Sequence, residues 1–169
     1  MGKVVAATAG VAEMKSLTVV LLLLTARPVD AQPYSREMVV AHNRVRARIG
    51  VPPLEWSQRL ADVAQQWANE LAASGKFAHR PKGKYGENLF EIRGAHATPA
   101  EVVTAWAGEA KDYDAATNMC RPGQVCGHYT QLVWRNTKQV GCGVAQRGSR
   151  QAWVCNYDPP GNWVGERPY

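Results

Sequence analysis

His79, Glu87, Glu109 and His128 supply two imidazoles and two carboxylates within one stretch of chain. Such a set is chemically capable of three things. It can hold a borderline divalent ion such as zinc, with neutral imidazole nitrogens and one or both carboxylates as ligands. It can work as a general acid/base pair around a water molecule. It can also form a hydrogen-bonded polar cluster that fixes the loops around it. Taken singly, each residue also has a plain structural reading. His79 precedes Arg80-Pro81 and reads as a loop residue, and Glu87, beside Gly86 and Asn88, as a strand-start carboxylate that accepts backbone hydrogen bonds. Glu109 reads as a solvated residue at a helix end, and His128 as the first turn of a short helix. No nucleophile accompanies the four: the chain has no Gly-x-Ser-x-Gly elbow, no phosphate-cradling glycine loop and no His-Glu-x-x-His helix. Nothing around Ser74 or Ser149 supports a Ser/His/Glu hydrolase. His42 reads as a satisfied, partly buried histidine on the inner side of its helix, and His96 as an exposed loop residue.

The elements that must position these groups follow from periodicity. Ser35 reads as an N-cap, followed by Met38, Ala41, His42, Val45 and Ile49 at helical spacing, with Gly50 as a stop. Arg44, Arg46 and Arg48 are placed on the outer face of that helix. Pro52-Pro53 breaks the chain; Ser57 then caps a second helix that buries Leu60, Val63, Ala64, Trp67 and Leu71 and ends at Gly75. Thr98-Pro99-Ala100-Glu101 is a capping box with proline at the first helical position, and it opens a third helix through Val102, Val103 and Trp106. Residues 85–90, 139–145 and 151–157 read as short strands, the last two joined by a hairpin containing Gly148. Helices first and a hairpin last imply an α+β fold, a three-layer α-β-α sandwich around a small antiparallel central sheet.

A chain of 169 residues allows one domain. The apolar run at 17–24, with Lys15 before it and Ala31 after it, reads as a secretory signal peptide over residues 1–31. Met14 would give a tidier start, and residues 32–169 form the mature domain. The run is too short to span a bilayer, which takes roughly 20 residues. The net charge of +6 remains +5 once Lys3, Lys15, Arg27, Glu13 and Asp30 are set aside. An excess of cations favours anionic surfaces such as acidic polysaccharide or phospholipid headgroups. Export argues against nucleic acid. All four cysteines, Cys120, Cys126, Cys142 and Cys155, lie late in the chain and read as two disulfides in an oxidising compartment. Of the three pairings, Cys120–Cys126 as a tight loop and Cys142–Cys155 across neighbouring strands is favoured. A zinc ribbon fails for want of a Cys-x-x-Cys pair.

Two aromatic-rich strings are unusual enough to carry a resemblance: Gly127-His128-Tyr129-Thr130-Gln131-Leu132-Val133-Trp134 and Cys155-Asn156-Tyr157-Asp158-Pro159-Pro160-Gly161-Asn162. They resemble the signature segments of the CAP superfamily, which holds cysteine-rich secretory proteins, antigen 5 and the first class of plant pathogenesis-related proteins. Gly86-Glu87-Asn88-Leu89 and Trp106-Ala107-Gly108-Glu109 stand in the family's order, and the resemblance runs from about residue 36 to 169. It implies that His79, Glu87, Glu109 and His128 converge in one cleft able to bind zinc or magnesium. It also implies a lipid or sterol ligand. The region that holds the sterol contact in relatives is polar here between Lys111 and Gly127, with Tyr113 as its only aromatic. The expectation is a secreted, extracellular binding protein for a lipid, sterol or anionic envelope component. The alternative is a metal-assisted secreted hydrolase of peptides or glycans, with Glu87 or Glu109 as base and the histidines holding zinc. Four side chains on one ion close a site, whereas an enzyme keeps a position open for water, so binding is favoured over catalysis.

Overall fold

A computed structural model describes residues 33–169, and the segment expected to be a signal peptide lies outside them. The first helix, α1 (Ser35–Arg48), has Tyr34 rather than Ser35 at its cap, and Ser35 is the buried first helical residue. Its inner stripe is Met38, His42 and Arg46, all fully buried. That overturns the outer-face placement of Arg46. Residues 44 and 48 are one turn apart, but position 46 falls on the opposite side of the helix, in line with 38 and 42. The buried guanidinium donates to the carbonyls of Pro52 (2.7 Å), Leu132 (2.9 Å), Trp134 (3.0 Å) and Thr137 (3.2 Å). Burial lowers its pKa to about 10, which still leaves it cationic at neutral pH.

A two-residue strand, β1 (Glu55–Trp56), leads into α2 (Gln58–Ser74). Ser57 caps this helix by accepting from the Leu60 amide, and Gly75 closes it in the left-handed region at φ 74°. Its buried face is Leu60, Ala61, Ala64, Ala68, Leu71 and Ala72, while Val63 and Trp67 are only half-buried. Then come β2 (Gly86–Arg93) and α3 (Pro99–Ala107), the latter with the Thr98–Glu101 capping box formed in both directions. A 3-10 turn (Gly108–Asp112) precedes a minor ribbon of β3 (Tyr113–Asp114) and β4 (Met119–Cys120). The chain ends with α4 (Gly127–Leu132) and the hairpin of β5 (Gln139–Arg147) and β6 (Arg150–Asp158), turned at Gly148 with φ 58°.

The main sheet runs β1-β5-β6-β2. The β5–β6 and β6–β2 pairs are antiparallel as expected, and β1 adds a short parallel edge against β5. On one face α2 packs Ala64, Ala68 and Leu71 against Leu89, Ala152 and Val154. On the other, Met38, Val102, Val103, Trp106, Tyr129 and Leu132 pack against Val140, Trp153 and Tyr157. The result is the three-layer α-β-α sandwich. Gly141 and Gly143 set the spacing of the first face. A Cβ on either would come within 2.2–2.3 Å of α2 backbone atoms at Ala61 and Gln65. The disulfides are Cys120–Cys126 and Cys142–Cys155, and the second joins directly opposed residues of β5 and β6.

Candidate functional site

The edge strand β2 and the two segments beside it position the four candidate residues as two pairs. His79 lies in the loop after α2, and its Nδ1 donates to Glu87 Oε1 at 2.7 Å. The Arg80 amide donates to the same oxygen at 3.0 Å, so one carboxylate oxygen pins the loop to the start of β2. Arg80 extends across α2, with Nη2 on the Val63 carbonyl at 2.9 Å and its guanidinium 5.3 Å from the centre of the Trp67 ring. The hydrogen bond to Glu87 raises the His79 pKa above its ordinary value, against the opposing effect of partial burial.

Glu109 sits in the 3-10 turn after α3 and faces the N-terminus of α4. It accepts from the amides of His128 (3.0 Å) and Tyr129 (3.1 Å), and from His128 Nδ1 at 2.6 Å. A carboxylate from another element thus caps α4, where helix amides lack partners of their own. The His128 ring stacks on Trp106, with centroids 6.2 Å apart and planes 16° from parallel. Trp106 is itself held by its Nε1 donating to the Leu89 carbonyl at 3.0 Å. Carboxylate oxygens only accept, so both Nδ1 atoms carry protons and each neutral imidazole is left with Nε2 as its acceptor.

A buried chain of hydrogen bonds ties α4 to α1 through the sheet. Asn88, next to Glu87, donates from Nδ2 to the His128 carbonyl (3.0 Å) and to the Tyr157 hydroxyl (3.2 Å). His42 donates from Nδ1 to the Met38 carbonyl at 2.8 Å, so Tyr157 donates to its Nε2 at 2.9 Å. Burial pushes the His42 imidazole down to about 4 and the Tyr157 phenol up. His42 is therefore the satisfied histidine expected of it, buried outright rather than in part. His96 is exposed.

A cavity of about 550 Å³ opens beside the first pair, lined by His79, Glu87, Gln131, Asn156 and the 82–86 loop. Gln131 builds its wall, accepting from the Gly161 amide at 2.9 Å and donating to Thr137 Oγ1 at 3.3 Å. Gly86 is required there, because a Cβ would lie 2.1 Å from Gln131 Oε1. Sequence reasoning singled out neither Gln131 nor Asn156, although both stand inside the two signature strings. Among the described residues no group of three or more His, Cys, Asp or Glu is arranged to hold a metal. No helix of the described residues is long and apolar enough to cross a membrane.

Residues 39–157 match the family model of the cysteine-rich secretory protein family, CAP, and the chain belongs to that family. Pathogenesis-related protein 1A of Nicotiana tabacum is 46% identical over 153 residues, 90% of each chain. Pathogenesis-related protein PR-1 type of Sambucus nigra is 40% identical over 156 residues, 91% of this chain and 93% of the other. Among solved structures, venom allergen-like protein 4 of Schistosoma mansoni superposes with TM-score 0.66 at 28% identity, covering 82% of this chain and 94% of that one. NaASP2 with Zn2+ matches at TM-score 0.68 and 22% identity, covering 82% and 86%. A manganese-bound neighbour matches at 0.55 and 18%, covering 83% and 75%. At the last two identities the likeness is one of fold alone.

Proposed function

We propose that this chain is an extracellular binding protein of the CAP family that engages a lipid, a sterol or an anionic envelope component. The observation that carries the reading is the use made of the carboxylates. Glu109 has both oxygens taken by three donors, and Glu87 Oε1 by two. A general base needs a lone pair directed at water within hydrogen-bond reach; Glu109 has both oxygens engaged and Glu87 keeps Oε2 alone for such a role, so the main use of these carboxylates is to hold a loop and a helix end against β2. The export signal read at residues 1–31 and the pathogenesis-related relatives support an extracellular site of action.

The donor chemistry suits a divalent ion in kind. An imidazole whose Nδ1–H is held by a carboxylate presents Nε2 in the orientation metal sites use. A bound ion would be held by Nε2 of His79 or of His128, completed by water or ligand atoms; of the two, His79 lines the cavity. Nitrogen donors favour zinc over magnesium, which demands oxygen ligands. When bound, zinc would supply Lewis acidity. The rival reading, metal-assisted hydrolysis of a peptide or glycan, retains one supporting observation: Glu87 lines the cavity. The test is the double variant His79→Ala with His128→Ala. Zinc uptake is expected to disappear while near-UV circular dichroism and retention of a co-purifying ligand stay as in the parent. Loss of ligand together with the metal would overturn the reading.

A further inference from the structure

The cavity beside the first pair holds two polar groups that neither His–Glu pair uses. Asn156 is 3% exposed and stands opposite Glu87 in the β2–β6 register. Its Nδ2 makes a long 3.3 Å bond to the Gly86 carbonyl, and its Oδ1 is buried with no partner. Arg80 Nε, in another lining residue, is also buried without a partner. Lys82 and Lys84 add cationic groups to the walls, where Glu87 is the only acidic residue among the described lining.

Buried polar groups in folded proteins have partners, so an acceptor and a donor left over in two residues that line one cavity point to a ligand that provides both once the side chains turn toward it. A hydroxyl does so. Amines would satisfy the Asn156 acceptor, but the surrounding cations repel them and favour an anion. The long bond to Gly86 lets the Asn156 amide turn toward a bound group. A free saccharide enters such a recess without being drawn out of a bilayer, as a lipid headgroup would have to be. We infer that this cavity binds a short acidic saccharide, a uronic-acid chain, with Asn156 accepting from a sugar hydroxyl and Lys82 and Lys84 holding the carboxylate. This rests on the reading of the chain as an extracellular binding protein and names the ligand class for its cleft.

Isothermal titration calorimetry on the disulfide-intact mature chain provides the test, with trigalacturonate and the neutral galactose trimer as probes. The uronate trimer is expected to bind at least about tenfold more tightly than the neutral one. Asn156→Leu is expected to weaken it about tenfold, the equivalent of one lost hydrogen bond. Lys82→Gln with Lys84→Gln, on an exposed loop, is expected to weaken it by a similar factor and stands in should Asn156→Leu fail to fold. Equal affinity for the two trimers, no uronate binding, or parent-like affinity in a folded Asn156→Leu would each overturn the proposal. Binding to anionic phosphatidylserine vesicles without binding to uronate would overturn it too, yet leave the binding-protein reading standing. That broader reading fails if the native protein retains no ligand of any class.

Discussion

Replacing Arg46 with methionine keeps most of the side-chain volume and removes four hydrogen bonds to main-chain carbonyls. The Trp134 carbonyl keeps the Thr137 amide at 3.1 Å, so the carbonyls of Pro52, Leu132 and Thr137 are the ones that lose most. Each buried acceptor left without a partner costs about 1–3 kcal/mol. The lower end gives about 3 kcal/mol for three. Relief from burying a charge with no carboxylate beside it offsets part of any larger sum. A loss of about 3 kcal/mol is a large share of the 5–15 kcal/mol typical of a whole domain. Arg46→Lys should fall between parent and methionine, because one ammonium cannot span the four carbonyls that a forked guanidinium reaches. The assay is urea unfolding followed by tryptophan fluorescence, with disulfides intact and slopes compared between variants. Arg46→Met within 0.5 kcal/mol of the parent would refute the claim that this buried cation staples α1 to the end of α4.

His42 fits the core only when neutral, since its folded pKa is depressed to about 4 from 6.5. Its share of stability is complete above pH 6.5 and is lost as pH falls through that value towards 4, amounting to about 3 kcal/mol. The difference in unfolding free energy between parent and His42→Gln should follow that course, and a difference independent of pH between 7 and 4 would contradict it. For His79 the sign is reversed. Its raised pKa means that the extra stability of the charged pair with Glu87 is fully present below the ordinary imidazole value and is lost as pH rises through the raised one. Glu87→Gln should bring the His79 pKa down in an NMR titration of its ring protons, and an unmoved pKa would remove Glu87 as the cause. Cys142→Ala with Cys155→Ala opens a loop of sequence separation 13 and should cost about 3 kcal/mol in the same urea assay. A loss below 1 kcal/mol would show that the hairpin holds its register without the crosslink.

Local chemistry made much of the frame legible. Ser57, Gly75 and the Thr98–Glu101 box mark their helix ends by hydrogen bonds and φ values that few other residues supply. The hairpin strands were readable as short runs joined by a loop containing Gly148, apart from a residue or two at their ends. Ser35 misled because a serine before an apolar stripe is a cap in type, yet here the chain enters the helix one residue earlier. Arg46 misled because charge outweighed position: its place four and eight residues after His42 and Met38 was in the sequence, but three of its four acceptors come from segments 86–91 residues away. β1 has only two residues and forms because Glu55 and Trp56 meet β5, a contact with no local signal. The four candidate site residues were identifiable through the resemblance, but their arrangement as two carboxylate–imidazole pairs was not. Glu109 caps α4 across a sequence separation of 19. Such a contact depends on how the 3-10 turn after α3 meets α4, which no spacing records.

The most direct test of the account is native mass spectrometry of the secreted protein, purified from its own source without chelators. The account predicts a mature chain starting at Gln32, four hydrogens lighter for its two disulfides, carrying a small organic ligand that survives removal of zinc. A protein that carries zinc but no organic ligand, and that turns over a peptide or glycan until Glu87 is replaced by Gln, would contradict it.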